Sequence, residues 1–294
     1  MDYSILYRNC TLCGHLCGVD RTCKTGVCKT GTDIFVARVG LHMWEEPIIS
    51  GTNGSGTIFI SGCSLGCVYC QNRDISRKPV GKVACEYDIS RAMLELENKG
   101  AHNINLVTPT HALPTLCSAI DIAHKSGLNL PIVYNTSAYD TVEALKMLES
   151  KVGIYLPDLK YYRGETAKKL SHAENYPNVA RNAIAEMVRQ RPSVIINGGI
   201  MQSGVIVRVL LLPGHVAEAK LNVKYLYETY GNAIYISLMS QYTPNAEMPS
   251  PLNRRVTERE YTELVEYADQ IGVTQAFVQD RASSVNDYIP DFDI

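Results

Sequence analysis

The sequence predicts an α/β fold, because strands and helices alternate along most of its 294 residues. Three observations carry that prediction. Short apolar runs with strand character recur at residues 57–60, 103–107, 130–134, 153–156, 205–212 and 233–238. Stretches with apolar residues at helical spacing separate them, and turn residues such as Gly100 and Pro213-Gly214 mark the joins. Strands alternating with helices pair in parallel through right-handed crossovers, so the six strand–helix units form a barrel or an open sheet. In either architecture function gathers at the C-terminal ends of the strands.

Taken in order, residues 1–50 read as a small cysteine-rich segment. Cys10, Cys13, Cys17, Cys23 and Cys28 stand among glycines with few large apolar groups, so something other than a core must cross-link them. The C-x2-C-x3-C opening and the later Gly-Val-Cys28 turn select Cys10, Cys13, Cys17 and Cys28 as metal ligands. Cys23 or His15 could replace one of them. Four thiolates suit structural zinc or a fully ligated iron–sulfur cluster. Eight of the ten cysteines lie in the first seventy residues, a clustering that indicates metal binding in a reducing compartment rather than disulfides. Cys85 and Cys117 are isolated and read as small core residues. Residues 34–41 alternate as a strand, and His42, Glu45 and Glu46 beyond it could be ligands or acid–base groups, but read first as groups that orient this segment against the main domain.

The main domain is expected over residues 51–280. Its first strand runs into Ser61-Gly-Cys63-Ser-Leu-Gly-Cys67-Val-Tyr-Cys70. Gaps of three and two residues aim three sulfurs at one centre, and Gly62 and Gly66 allow the sharp turns this needs. A four-iron cluster held by Cys63, Cys67 and Cys70 alone leaves one iron free to take a ligand. Structural zinc normally takes four protein ligands, and no further Cys or His follows within the next dozen residues.

Beyond that loop, Asp88 or Ser90 is expected to cap a helix that carries Ala92, Met93 and Leu96 and ends at Gly100. Helices are expected near 112–126, 139–150, 176–190, 216–229 and 257–271. The strands between them end in Thr108-Pro-Thr110-His111, Asn135-Thr136-Ser137, Asp158-Leu-Lys160 and Met239-Ser-Gln241-Tyr242, with Arg208 on the fifth. Facing one mouth, these groups suit a zwitterionic amino acid and a ribose. Residues 281–294 form a tail without a motif. The formal net charge of −2 gives no argument for a nucleic-acid partner, and no apolar run approaches the roughly 20 residues that span a bilayer, so a cytoplasmic protein is expected.

The three-cysteine loop, with Tyr69 just before its last cysteine, resembles the signature of the radical S-adenosylmethionine (SAM) enzymes. Trp44-Glu-Glu-Pro47, Ser50-Gly-x2-Gly-Ser-Gly56, Cys70-Gln-Asn72, Asp158-Leu-Lys160 and Pro251-Leu-Asn-Arg-Arg255 resemble the branch related to the pyruvate formate-lyase activating enzyme, in a subgroup with an extra N-terminal cysteine segment. The resemblance implies a partial barrel of six units and a [4Fe-4S] cluster on Cys63, Cys67 and Cys70. It implies reductive cleavage of SAM, with an electron from a flavodoxin- or ferredoxin-like donor. Tyr69, Thr108, Thr110, Asn135, Asp158, Lys160, Arg208 and Gln241 become the expected SAM contacts, and no side chain is assigned an acid, base or nucleophile role. A glycyl radical enzyme is the partner this branch implies. The Gly-Gly-Glu-Pro usual after the second strand is replaced by Thr108-Pro-Thr110, which opens the alternative of a small-molecule or peptide substrate. A different class, a zinc-stapled binding protein without catalysis, would use the tyrosine-rich C-terminal half as a contact surface.

Overall fold

The computed structural model describes residues 3–244 and 248–279; the expected tail, 281–294, lies outside the described residues. Ten strands follow one another: β1 (Ile34–His42), β2 (Ser55–Ile60), β3 (Lys82–Ala84), β4 (Ile104–Val107), β5 (Ile132–Thr136), β6 (Ile154–Pro157), β7 (Ile195–Asn197), β8 (Ile200–Leu210), β9 (Tyr235–Met239) and β10 (Ala276–Val278). They join in one sheet ordered β10-β9-β8-β6-β5-β4-β2-β1-β3, with β7 paired to β8 alone. From β2 through β4, β5, β6, β8 and β9 to β10 every pairing is parallel. The six expected strands are thus present in sequence order and form a partial barrel that stays open. β1 runs antiparallel to β2, and β3 runs antiparallel to β1 at one edge.

Parallel strands need helical crossovers, and the apolar spacing of the helices shows why they pack onto the sheet. In the helix Leu113–Lys125, Leu113, Leu116, Cys117, Ile120 and Ala123 recur three and four residues apart and are fully buried. Each large aliphatic side chain buried this way contributes about 1.5–3 kcal/mol. Pro114 sits in the first turn, where its missing N–H removes no helical bond. The helix Glu86–Asn98 begins earlier than the sequence suggests. Exposed Cys85 is its N-cap, and Asp88 reaches back to the Cys85 N–H at 3.1 Å, so Asp88 acts as the third helical residue of a capping box. Cys85 is therefore a cap and not a core residue.

Other elements also depart from the expectation. The helix expected at 139–150 contracts to Val142–Lys146, with the Thr141 hydroxyl accepting the Ala144 N–H. A helix at Gly164–Ser171 and the β7–β8 hairpin were not anticipated. β8 starts at Ile200, well before the expected 205, because the hairpin turn at Gly198-Gly199 extends it. Both glycines have positive φ, +56° and +80°, as a two-residue hairpin turn of the primed type requires.

The N-terminal segment is fastened to the loops that leave β2 and β4. Buried Arg21 donates to the backbone oxygen of His111 at 2.6 Å, and His111 Nε2 donates to the Ser61 carbonyl at 2.8 Å. The neutral ring suits this place. Burial first, and the Arg21 cation second, push its pKa down from 6.5 to about 4. Stability from the neutral ring is fully present above pH about 6.5 and is lost as pH falls through about 4, a contribution on the order of 3 kcal/mol. Urea midpoints at pH 7 and pH 4.5 should therefore fall further for the natural protein than for His111→Gln, whose amide can still reach Ser61. Equal declines would remove His111 as the cause.

Candidate functional site

Because the strands from β2 to β10 are parallel, their C-terminal ends share one edge, and a cavity of about 600 Å³ opens there. Cys63, Cys67 and Cys70 line it, on the loop that leaves β2. That loop is tied down from four sides. Ser61 N–H donates to Phe35 O at 2.8 Å and Gly62 N–H to Ile75 O at 2.8 Å. Val68 N–H donates to Leu170 O at 2.9 Å, and His15 Nε2 meets the Ser64 carbonyl at 2.8 Å. Only glycine fits at position 62: its φ is +92°, and a Cβ there would lie 2.5 Å from Thr30 Cγ2.

Each of the three sulfurs has a hydrogen-bond donor. Leu65 N–H points at Cys63 Sγ (3.4 Å), Ser171 Oγ at Cys67 Sγ (3.0 Å) and Ser76 Oγ at Cys70 Sγ (3.5 Å). Among the described residues no three His, Cys, Asp or Glu side chains are already drawn into a ligand sphere, and all ten cysteines are free thiols. Burial, then the neighbouring Cys67 and Cys70, push the Cys63 thiol up to about 12, and burial raises Cys70 as well. Such a cluster ionises only when a cation supplies the compensating charge. Three soft donors on one loop, each with a donor to its sulfur, fit an iron–sulfur cluster.

Most of the expected contacts surround the same space. Tyr69 lines the cavity, and its hydroxyl accepts from Tyr161 at 2.8 Å. Thr108 lines it at the end of β4 with φ of +58°, an unusual conformation for a β-branched residue. Asn135 and Gln241 contribute from β5 and from the segment after β9. Asp158 and Lys160 face the cavity as a pair, Lys160 Nζ to Asp158 Oδ2 at 2.6 Å. Burial opposes the Lys160 charge, but the Asp158 carboxylate outweighs it and holds the ammonium above its ordinary pKa. Thr110 is the exception. It is buried behind the wall, its hydroxyl 3.3 Å from Thr136 Oγ1 in a network with Asp140 and Tyr134, and it does not line the cavity.

Arg208 lines the cavity already engaged with two carboxylates. Its Nε and NH2 reach Glu46 at 2.8 and 2.7 Å, and NH2 also bonds Glu45. Asn105 Nδ2 donates to the other Glu45 oxygen at 2.8 Å. Burial works against both partners' charges, yet the ion pair prevails, holding Glu46 low and Arg208 high. His42 beside them is held low by burial. Asn72, just past Cys70, lines the cavity with a buried Oδ1 that has no partner among the described residues, which suits a ligand's donor. Sequence reasoning gave Asn72 no role beyond a motif, and it had no signal for Ser76, Ser171 or Asp140. Around the N-terminus, Cys13 lies within electrostatic reach of Cys10 and Cys28, and the Cys17 and Cys28 sulfurs border the same space beside Gly26, without the four forming a ligand sphere, while Cys23 is exposed.

No family model matches the chain. It is 28% identical over 276 residues to the uncharacterized protein MJ0674 of Methanocaldococcus jannaschii, covering 90% of this chain and 75% of that protein. Among solved structures it is similar to SuiB of Streptococcus suis bound to S-adenosylmethionine, with a TM-score of 0.50 and 12% identity over 74% of this chain and 48% of SuiB. Methylornithine synthase (PylB) aligns with a TM-score of 0.48 and 17% identity, over 70% of this chain and 59% of PylB. The chain thus spans about half the length of these two solved proteins. What it shares with SuiB is the fold: an α/β architecture with a mostly parallel sheet.

Replacing Arg208 by Met should leave Glu45 and Glu46 buried without their cation and destabilise the fold by about 3–5 kcal/mol in urea denaturation. Adding Glu45→Gln and Glu46→Gln should recover much of that loss. No recovery would mean that packing, rather than charge, sets the effect.

Proposed function

We propose that the protein is a radical SAM enzyme. Its reading rests on one observation: Cys63, Cys67 and Cys70, each with a donor to its sulfur, lie at one end of a cavity whose walls carry Asp158, Lys160 and Arg208. When bound, a [4Fe-4S] cluster with SAM supplies one-electron cleavage to methionine and a 5′-deoxyadenosyl radical that abstracts hydrogen. The fold shared with SuiB, whose structure holds S-adenosylmethionine, supports this reading.

The chain's own residues then have definite tasks. Lys160 offers an ammonium to a carboxylate, and Asp158 keeps it charged. Asp158 and Asn135 present acceptors to hydroxyl or ammonium groups, Gln241 an amide, and Asn72 Oδ1 an open acceptor. Tyr69 presents its ring to the adenine. Behind it Tyr161 and Tyr176 are buried and close that wall to water. Arg208, held by Glu45 and Glu46, keeps the far wall in place and can share a remaining donor with the cofactor. The motifs along the chain favour activation of a glycyl radical enzyme, with the electron coming from a flavodoxin- or ferredoxin-like protein. Exposed Met43 and Trp44 at the rim would meet the partner's glycine-bearing loop.

Anaerobic reconstitution followed by dithionite and SAM should release 5′-deoxyadenosine, and Cys63→Ala should abolish it. A fully loaded cluster that yields none would defeat the proposal. Mixed with its glycyl radical partner, the enzyme should generate a glycyl signal in electron paramagnetic resonance. SAM turnover that depends only on an added metabolite would point instead to a small-molecule substrate. Ser171→Ala removes a hydrogen bond to Cys67 Sγ, so the cluster's reduction potential should move downward in a redox titration. An unchanged potential would leave Ser171 a packing role only.

A further inference from the structure

Arg21 is among the largest fully buried side chains, at 2% exposure. Its guanidinium donates to Thr30 O (3.2 Å), Thr30 Oγ1 (2.7 Å), Gly31 O (2.5 Å) and His111 O (2.6 Å), and its Cζ stands 4.8 Å from the centre of the Tyr7 ring. All of these partners are neutral, and among the described residues no carboxylate forms an ion pair with it. A buried cation without a counter-charge is costly, so the fold calls for negative charge nearby. The hydroxyl that receives Arg21, Thr30 Oγ1, lies 3.1 Å from Cys28 Sγ.

Cys28 neighbours the other cysteines of the segment pairwise, although among the described residues the four are not drawn into a ligand sphere. A Cβ on Gly26 would lie 3.3 Å from Cys28 Sγ and 3.6 Å from Cys17 Sγ, so glycine leaves open the space these two sulfurs share. Cys17 Sγ donates to the Cys10 carbonyl at 3.8 Å, and the Cys13 thiol lies within electrostatic reach of Cys28 and Cys10. The two other candidates are engaged elsewhere. Cys23 is exposed, with Sγ 3.5 Å from its neighbour Thr22 Oγ1, and His15 Nε2 is bound to the Ser64 carbonyl.

We propose that Cys10, Cys13, Cys17 and Cys28 hold a single metal centre through four thiolates, with Arg21 as its buried counter-cation. Zinc and a [4Fe-4S] cluster give the same charge logic, since four thiolates leave either centre with two net negative charges. Loading releases the thiol protons to solvent, and no electron need move for zinc. The centre also braces the loop of the first site. Cys28 O lies 3.6 Å from the Cβ position of Gly62, and His15, between Cys13 and Cys17, holds Ser64. It does not depend on SAM chemistry, because its ligands lie outside the cavity-lining loop.

The test removes the first site from the full chain. Cys63→Ala/Cys67→Ala/Cys70→Ala, purified anaerobically, should retain about one zinc or about four irons per chain, and metal analysis separates the two. X-ray absorption should show an all-sulfur shell at about 2.3 Å. Adding Cys23→Ser should leave metal and shell unchanged, whereas adding Cys28→Ser should remove the metal. Should the Cys28→Ser protein fail to fold, the shell and the Cys23→Ser protein still decide. A metal-free triple variant, a nitrogen in the shell, or loss of metal on Cys23→Ser would each overturn the proposal. Failure of SAM cleavage in the unaltered enzyme would not touch it.

Discussion

Glu45 and Glu46 meet Arg208 across 163 and 162 residues of sequence, and the shape of the cavity depends on that contact. The two carboxylates follow β1, the guanidinium comes from β8, and together they tie the segment after β1 to the parallel strand β8. A buried ion pair contributes little net stability compared with well-packed apolar groups. What it contributes here is geometry. Glu46 forks onto Arg208 through both oxygens, and Glu45 is fixed on its other side by Asn105, so neither carboxylate can swing into the cavity.

The same contact sets the charge of the space it frames. Glu45, Glu46 and Asp158 face Lys160 and Arg208, so three carboxylates oppose two cations, and burial keeps His42 from adding a third. A cavity with this balance favours a ligand carrying net positive charge. The pairing also explains how charges survive there: each cation has its carboxylate in contact, so none must be desolvated alone.

The architecture was legible in the sequence because it follows from local pattern. Alternating strands and helices force parallel pairing, and parallel pairing brings Thr108, Asn135, Asp158, Arg208 and Gln241 to one edge. Facing is another matter. Thr110 sits two residues past Thr108, yet the chain has turned by then and its hydroxyl points back to Thr136. The donors to Cys67 and Cys70 were beyond reach for a different reason. Ser171 approaches its sulfur across 104 residues, from a helix too short and too polar to stand out as a pattern. The Asn197-Gly198-Gly199 turn, by contrast, carried a legible hairpin signal that the apolar run of β8 obscured.

The hydrogen bonds that hold the three-cysteine loop have an energetic consequence. Its backbone is already bonded to Phe35, Ile75 and Leu170, and His15 and His111 hold its carbonyls, so little chain entropy is left to lose on loading. The opposing term is electrostatic. Burial keeps Cys63 protonated up to about pH 12, so a metal must displace thiol protons to bind, and loading should strengthen as pH rises. Donors already aimed at each sulfur offset part of that penalty, because they stabilise the thiolate more than the thiol. The loop thus trades flexibility for a fixed set of sulfurs, and beyond the nearby Lys160 ammonium the charge of three thiolates would fall to a bound cation to compensate.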